Sequence, residues 1–415
     1  MAATIDKVSL LSALAAGILV PGLAAAQEIG EPVENLFVCR MAAGPASVTF
    51  DAGRAAAGSG GEVVHTYRNI FDGFAIRADV AAVRRIVAAN PMISSCTQAL
   101  WTGLPESDAA AYGAKGPGGG GGGGGGGGKP GGGTPTPTPA QVTDWGVERI
   151  GGPSSVSTSG RRAFVVDTGV DLDHPDLNVD VALSQSFLSA RGRGNNSPDD
   201  YNGHGSHVAG VIAAIDNTIG VVGVAPGATV VSVRVLDKNG GAPDADVAKG
   251  LDYIAGLIDA GQAGPGDVVN LSLTADPGSS VLDAGVRALN DRGVFVVMAA
   301  GNSAQDVDAS RVSPAYNNGE FLYSVSAFAA GDGYSFPSNS GASVDYAEPG
   351  ENINSLDKDG GYAVKSGTSM AAPHLSGILL AAGSVASDGT TSPGSGLLGD
   401  PDGSGDTIGV LPGAP

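Results

Sequence analysis

The stretch Ala163-Phe164-Val165-Val166-Asp167-Thr168-Gly169-Val170 decides the architecture. A short apolar run closed by a carboxylate and a glycine reads as a strand buried on both faces, not one half in water. Similar runs recur at 229–235, 268–273 and 294–297. Helical patterns lie among them at 207–215, 244–257 and 281–290. Continuous apolar strands alternating with helices predict an α/β fold with a doubly wound, mostly parallel sheet covered on both faces. This pattern begins near residue 141.

Toward the N-terminus the chain changes character. Gly116 to Gly133 contains 15 glycines, and Thr134 to Pro139 reads TPTPTP. Glycine tracts lose too much entropy to order, and Thr-Pro repeats favour extended polyproline geometry, so 116–139 is expected to be a linker without a chemical role. Residues 33–102 read as a small domain. Leu36–Met41 is a strand, and Gly61–Arg77 forms two strands around Phe71-Asp72-Gly73. Asp79 caps a helix that Asn90-Pro91 stops, and a weaker helix near 44–58 completes the order βαββαβ, the ferredoxin-like α+β pattern. The only two cysteines, Cys39 and Cys96, fall in its first and last strands. These strands are neighbours in that fold, so the pair forms either a disulfide or two buried thiols. A disulfide closing this loop would contribute about 4 kcal/mol.

Residues 1–26 carry an export pattern: Lys7, an apolar run from Val8 to Val20, then Ala24-Ala25-Ala26 before Gln27. The A-x-A site predicts a signal peptide and a secreted or periplasmic product, the alternative being an uncleaved amphipathic terminus. No other apolar stretch approaches membrane-spanning length, so no membrane partner is expected after signal removal. Over 415 residues, 22 basic and 42 acidic side chains leave a net charge of −20. Residues 1–140 hold 9 basic and 10 acidic groups, whereas 141–415 hold 13 and 32. Such acidity excludes phosphate-backbone binding, hence nucleic acid as a partner.

Three polar clusters interrupt the α/β pattern. Asp167 ends an apolar strand, histidine opens an apolar helix in Asn202-Gly203-His204-Gly205-Ser206-His207-Val208-Ala209-Gly210, and Ser369 follows a glycine turn in Ser366-Gly367-Thr368-Ser369-Met370-Ala371-Ala372-Pro373-His374. Each is weak alone, because a strand-end Asp is commonly a cap and Gly-x-Ser is common in loops. Together, in the order Asp, His, Ser, they match one of the chain orders of a catalytic triad.

With DTGVDLDHPDL, NGHGSHVAG, AAGN and GTSMAAP in sequence, residues 141–383 resemble the subtilases, the subtilisin-like serine proteases. The segment VVHTYRNIFDGFAIRA and the helix after it resemble the family's inhibitory propeptide. The resemblance implies a subtilisin-like fold and a monomeric, secreted serine endopeptidase made as a zymogen. It would cleave polypeptides through an acyl-enzyme, with its own propeptide as intramolecular inhibitor and no cofactor for the chemistry. Ser369 would be the nucleophile, His204 the base and Asp167 its orienting partner, with Asn302 in the oxyanion hole. The alternative is a catalytically weak secreted binding module on the same scaffold.

Other polar residues have plainer readings. His207, His174 and His374 read as packed structural histidines, since there is no H-E-x-x-H and no cysteine ligand in this region. Ser366 and Ser272 lack the glycine-flanked turn of the nucleophile. By resemblance, Ser272, Leu273, Ala299 and Gly301 line the substrate site, which an extended peptide would enter as an added strand. Where the family usually has two glycines, Thr274-Ala275 place β-carbons that would narrow the neighbouring subsites. The resemblance also implies a structural Ca²⁺ held by Gln141, Asp176 and Asn217 side chains and the carbonyls of Ile215, Ile219 and Val221. With Gln141 as a ligand, that site is expected to complete only after cleavage near Pro139-Ala140. Residues 384–415 read as an exposed Gly/Ser/Asp-rich tail, in which Ile408–Leu411 keeps a closing strand and Asp400–Asp406 is a candidate second calcium loop.

Overall fold

The computed structural model describes residues 28–42, 51–105, 139–189, 196–335, 337–392, 400 and 402–414, together with the backbone of Val8–Ser9. The expected signal peptide lies outside them apart from Val8–Ser9, and the expected linker apart from Pro139.

The first domain contains β1 (Pro32–Met41), α1 (Ala52–Ala57), β2 (Glu62–Tyr67), β3 (Gly73–Arg77), α2 (Val80–Ala89) and β4 (Ile93–Gly103). Its strand order, β4-β1-β3-β2, is the one expected of the βαββαβ pattern. Val8–Ser9 lies along the outer edge of β4. Asp79 caps α2 by accepting the Ala82 N–H at 2.6 Å. Cys39 and Cys96 stand directly opposite on β1 and β4 and are bonded, which settles the pairing left open by the sequence. Replacing both by alanine is expected to destabilise this domain by about 4 kcal/mol, because the open loop restores entropy to the unfolded chain. Denaturant melts of the intact precursor check this; an unchanged first transition would refute it.

The larger domain is the predicted α/β sheet. Its main elements are α3 (Trp145–Arg149), β5 (Arg162–Asp167), α4 (His204–Ala213), β6 (Thr229–Arg234), β7 (Gly241–Pro243), α5 (Asp244–Asp259), β8 (Val268–Leu271), α6 (Ser280–Asn290), β9 (Phe295–Ala299) and β10 (Leu322–Ala329). They continue with β11 (Tyr346–Pro349), the hairpin β12 (Ile353–Asp357) and β13 (Gly361–Lys365), α7 (Thr368–Ala382), β14 (Ala386–Thr390) and β15 (Thr407–Val410). The sheet runs β14-β15-β11-β10-β9-β8-β5-β6, with every pair after β14–β15 parallel. Alternate residues of one strand serve opposite faces: Ala163 and Val165 pack with α4 and α7, and Phe164 and Val166 with α5 and α6. Burial on both faces explains the uninterrupted apolar run.

Two expectations shift. Helix α4 begins at His204 rather than His207. Asp200 gathers the N–H groups of Asn202 and Gly203, each at 2.9 Å, and Gly203 adopts φ +107°, so the turn forms just before the histidine. The reading of 384–415 as a tail also needs correction. β14 and β15 extend the central sheet, and Ile408, opposite Ala347 of β11, is fully buried. The closing strand expected at Ile408–Leu411 is β15, whereas β14 is almost wholly polar and shows no apolar period.

Candidate active site

Strand β5 delivers Asp167 to the carboxyl edge of the sheet, where α/β folds gather their ligand-binding groups. Helix α4 then brings His204 against it. Gly205 makes that approach possible, since a β-carbon there would stand 2.0 Å from the Gly169 carbonyl oxygen. His204 Nδ1 lies 2.8 and 2.9 Å from the two Asp167 carboxylate oxygens, with both residues buried. The Thr168 N–H also donates to Asp167, at 2.6 Å. A carboxylate held this way favours the imidazole tautomer with its proton on Nδ1.

Ser369 is the second residue of α7, just after Gly367 at φ +132°. Its hydroxyl donates to the Ser272 carbonyl at 3.4 Å, and Ser272 Oγ donates to the Ser369 carbonyl at 2.9 Å. Beneath them, Ser376 Oγ donates to Asn270 Oδ1 and Asn270 Nδ2 donates to Ser272 Oγ, both at 2.9 Å. Ser272 is therefore a support beneath the nucleophile turn.

Asn302 is oriented without ambiguity. Its Oδ1 accepts the Thr368 N–H at 2.9 Å and the Thr368 hydroxyl at 3.0 Å. Its Nδ2 is buried and has no hydrogen-bond partner. A buried donor left open beside a nucleophile turn awaits an acceptor, since burial without one is costly. The sequence reading missed Thr368, whose signal was its place at the first position of α7. It also missed Asp200, which accepts from Thr168 Oγ1 at 3.0 Å and from Ser206 Oγ at 2.7 Å, tying the Asp and His loops together.

The remaining histidines follow the plainer reading. His207 Nε2 lies 3.1 Å from the Ile353 and Ala363 carbonyls, and burial pushes it well below the usual imidazole range. His374 bonds the Met370 carbonyl at 2.8 Å, and burial lowers it to about 4. His174 holds Gly361 O at 3.1 Å, and Ser366 Oγ accepts the Asn352 N–H at 2.9 Å.

The cleft already contains a strand. Thr274 N–H donates to the Gly103 carbonyl at 2.9 Å, and Gly103 N–H donates back at 3.2 Å. On the other side β4 pairs antiparallel with β7, and Leu104 N–H reaches the Gly240 carbonyl at 2.9 Å. Leu273 is fully buried in the core cluster against which Leu104 packs, and Ala299 is buried on the α7 face of the sheet. Gly301, at φ +104°, turns beside Thr274. Of the two β-carbons expected to crowd the substrate edge, only that of Thr274 stands on it. Ala275 pairs with Ser313 through two hydrogen bonds of 2.8 and 3.0 Å and is fully buried.

At the expected calcium loop, Asn217 Nδ2 donates to Asp176 Oδ1 at 2.7 Å, and Gln141 Oε1 accepts the Asn217 N–H at 2.6 Å. Val221 N–H reaches Asp176 Oδ2 at 3.2 Å, and Ile219 N–H reaches Asn217 Oδ1 at 2.7 Å. The backbone of Ile215 donates to the Asp176 carbonyl at 3.0 Å. Gln141 thus reaches this loop in the uncleaved chain. The 33 residues between Pro105 and Pro139 span up to about 110 Å when extended, so continuity of the chain does not hold Gln141 away.

The model of the Subtilase family matches residues 164–392. The chain belongs to the subtilase family. This subtilase is 39% identical over 244 residues to Subtilisin BL of Lederbergia lenta, covering 57% of this chain and 83% of that one. It is 39% identical over 245 residues to M-protease of Shouchella clausii (strain KSM-K16), covering 58% and 59%. A crystal structure of a cold adapted subtilisin-like serine proteinase aligns at 34% identity and TM-score 0.48, covering 57% of this chain and 83% of that one. The protein is thus a subtilisin-like serine endopeptidase, an enzyme acting on polypeptides. No helix among the described residues is long and apolar enough to cross a membrane.

Proposed function

We propose that this subtilase is an exported zymogen whose first domain blocks the cleft as a bound peptide until it is cut. One observation carries the reading: the two-bond pairing of Gly103 with Thr274. In an antiparallel ladder, residues two apart along one strand face residues two apart on the other. Gly103 opposite Thr274 therefore puts Pro105 opposite Ser272, whose carbonyl touches the Ser369 hydroxyl. Pro105 is itself buried. The register aims the Pro105 carbonyl at the nucleophile.

The rest of the domain is held where an inhibitor must sit. Val33, Leu36, Tyr67 and Ala99 share an apolar cluster with Ala245, Ala248 and Val281 of α5 and α6. Asp252 Oδ1 accepts three successive N–H groups, from Arg68, Asn69 and Ile70, at 2.9, 2.7 and 3.3 Å. His65 Nε2 lies 2.8 Å from Asp246 Oδ1, and Lys249 Nζ donates to the Thr66 carbonyl at 2.8 Å.

In the proposed reaction His204 Nε2 takes the Ser369 proton as Oγ bonds to the scissile carbonyl carbon. The oxyanion is met by Asn302 Nδ2 and the Ser369 N–H at the α7 N-terminus. His204 then passes its proton to the leaving amine as the C–N bond breaks, and water repeats the sequence on the acyl-enzyme. Asp167 stabilises the imidazolium between these transfers. The oxygen donors at Gln141, Asp176 and Asn217 fit a hard cation such as Ca²⁺, which would tie residues 139–143 to the loop after α4.

Mass spectrometry of the processed chain tests this. The first cut is expected between Pro105 and Glu106, upstream of the Gly-rich segment, so the freed enzyme would begin at Glu106 and carry that segment until any trimming. Gly103→Val should slow this cut, because a β-carbon there presses on the Gly240 carbonyl oxygen at 3.0 Å. A first cut at Pro139–Ala140 with 103–105 left intact would overturn the register argument.

A further inference from the structure

We propose a second divalent-cation site, suited to Ca²⁺, formed by Asp400, Asp402 and Asp406 with Ser340 where the β14–β15 hairpin closes on the sheet. One carboxylate oxygen from each aspartate lies within 4.8 Å of the others. No Lys, Arg or His among the described residues forms an ion pair with any of the three. The charges acting on Asp400 and Asp406 are those of other aspartates.

Independent of that clustering, two buried oxygens have no partner. Asp400 is 7% exposed, and its Oδ2 accepts no hydrogen bond. Ser340, from a different segment, is fully buried, stands beside the Asp400 carboxylate and leaves its Oγ without a partner. Burying an unmatched carboxylate oxygen beside two further carboxylates is unfavourable unless a proton or a cation joins them.

The chemistry selects the ion. Every candidate donor is oxygen, which suits Ca²⁺ over softer metals. Asp400, Asp402, Ser404 and Asp406 occupy the first, third, fifth and seventh positions of a loop with Gly405 sixth, the spacing by which calcium loops present oxygens to one centre. The twelfth position, where such loops place a bidentate Glu, is Leu411, and Ser340 comes from a separate segment of the chain. Asp406 ties the site to the fold: its carboxylate accepts from Ser326 Oγ, and its backbone pairs with Thr391. An ion there would clamp the hairpin to the sheet.

Calorimetric titration of CaCl₂ into metal-stripped, full-length Ser369→Ala chain tests the site. Adding Asp402→Asn and Asp406→Asn should lower the stoichiometry by one ion per chain and shrink the calcium-induced rise in Tm. Asp402→Asn alone is the second variant. Asp402 is exposed and its side chain accepts from Ser404 of its own loop, so the fold should survive, and that binding step should weaken about tenfold or more. An Asp176→Asn chain should lose a different step, which separates this site from the loop after α4. Equal stoichiometry and equal Tm shift in the parent and both Asp402 variants would overturn the proposal.

Discussion

Ser369→Ala is expected to leave the chain uncut at Pro105–Glu106 and to lower kcat on a peptide substrate by about 10⁴- to 10⁶-fold. That range is the general one for triads of this kind, subtilisin among them, and owes nothing to distances in this chain. The loss should be chemical and not structural. Ser369 is the second residue of α7, where alanine is a good helix former, and the change removes one oxygen. The hydrogen bond from Ser272 Oγ to the residue 369 carbonyl uses the backbone and survives the substitution. An organophosphonate should label the processed parent enzyme and not the variant, read by intact mass. A labelled or self-processed variant would sink the role given to Ser369.

Asn302→Ala should lower kcat by about 10²–10³, the usual effect of removing one oxyanion donor, while KM stays within about twofold. Its unpartnered Nδ2 is the basis: a donor with nothing to bond in the resting state gains its acceptor only when negative charge develops. The substitution also removes the acceptor of two bonds from Thr368, so some loss of stability is expected. Thr368→Val separates the two effects. It removes one of those bonds and the acceptor for the Gly301 N–H, yet keeps Nδ2. Its kcat loss should be well below that of Asn302→Ala. Equal losses would mean that Asn302 acts by holding the loop.

Local patterns carried much of this enzyme. The apolar run 163–166 had to be a strand buried on both faces, and it is. Asp79 had to cap a helix, because its side chain reaches the Ala82 N–H from the next turn. The Asp, His, Ser motifs and their glycines were legible because motif glycines answer steric demands, as Gly205 does against the Gly169 carbonyl. Hidden from view were groups whose partners are far away in the chain. Asp200 looked like one more acid in a chain of net charge −20, although it organises the turn before His204. Thr368 stood in the serine motif, but its bond to Asn302, 66 positions earlier, is set by the fold. The strand at 386–390 carries too few apolar residues to show a period.

Sequence alone determined the α/β class and the subtilase family. Those depend on spacing, hydrophobic period and chain order, all of which are local. Tertiary structure decided that Cys39 and Cys96 are joined and that Gln141 reaches its loop in an uncut chain. It also decided that Gly103, at the end of β4, pairs with Thr274. These are outcomes of strand register, and one residue of slippage turns each side chain to the opposite face. Register is set by contacts between segments far apart in the chain, so no local pattern encodes it.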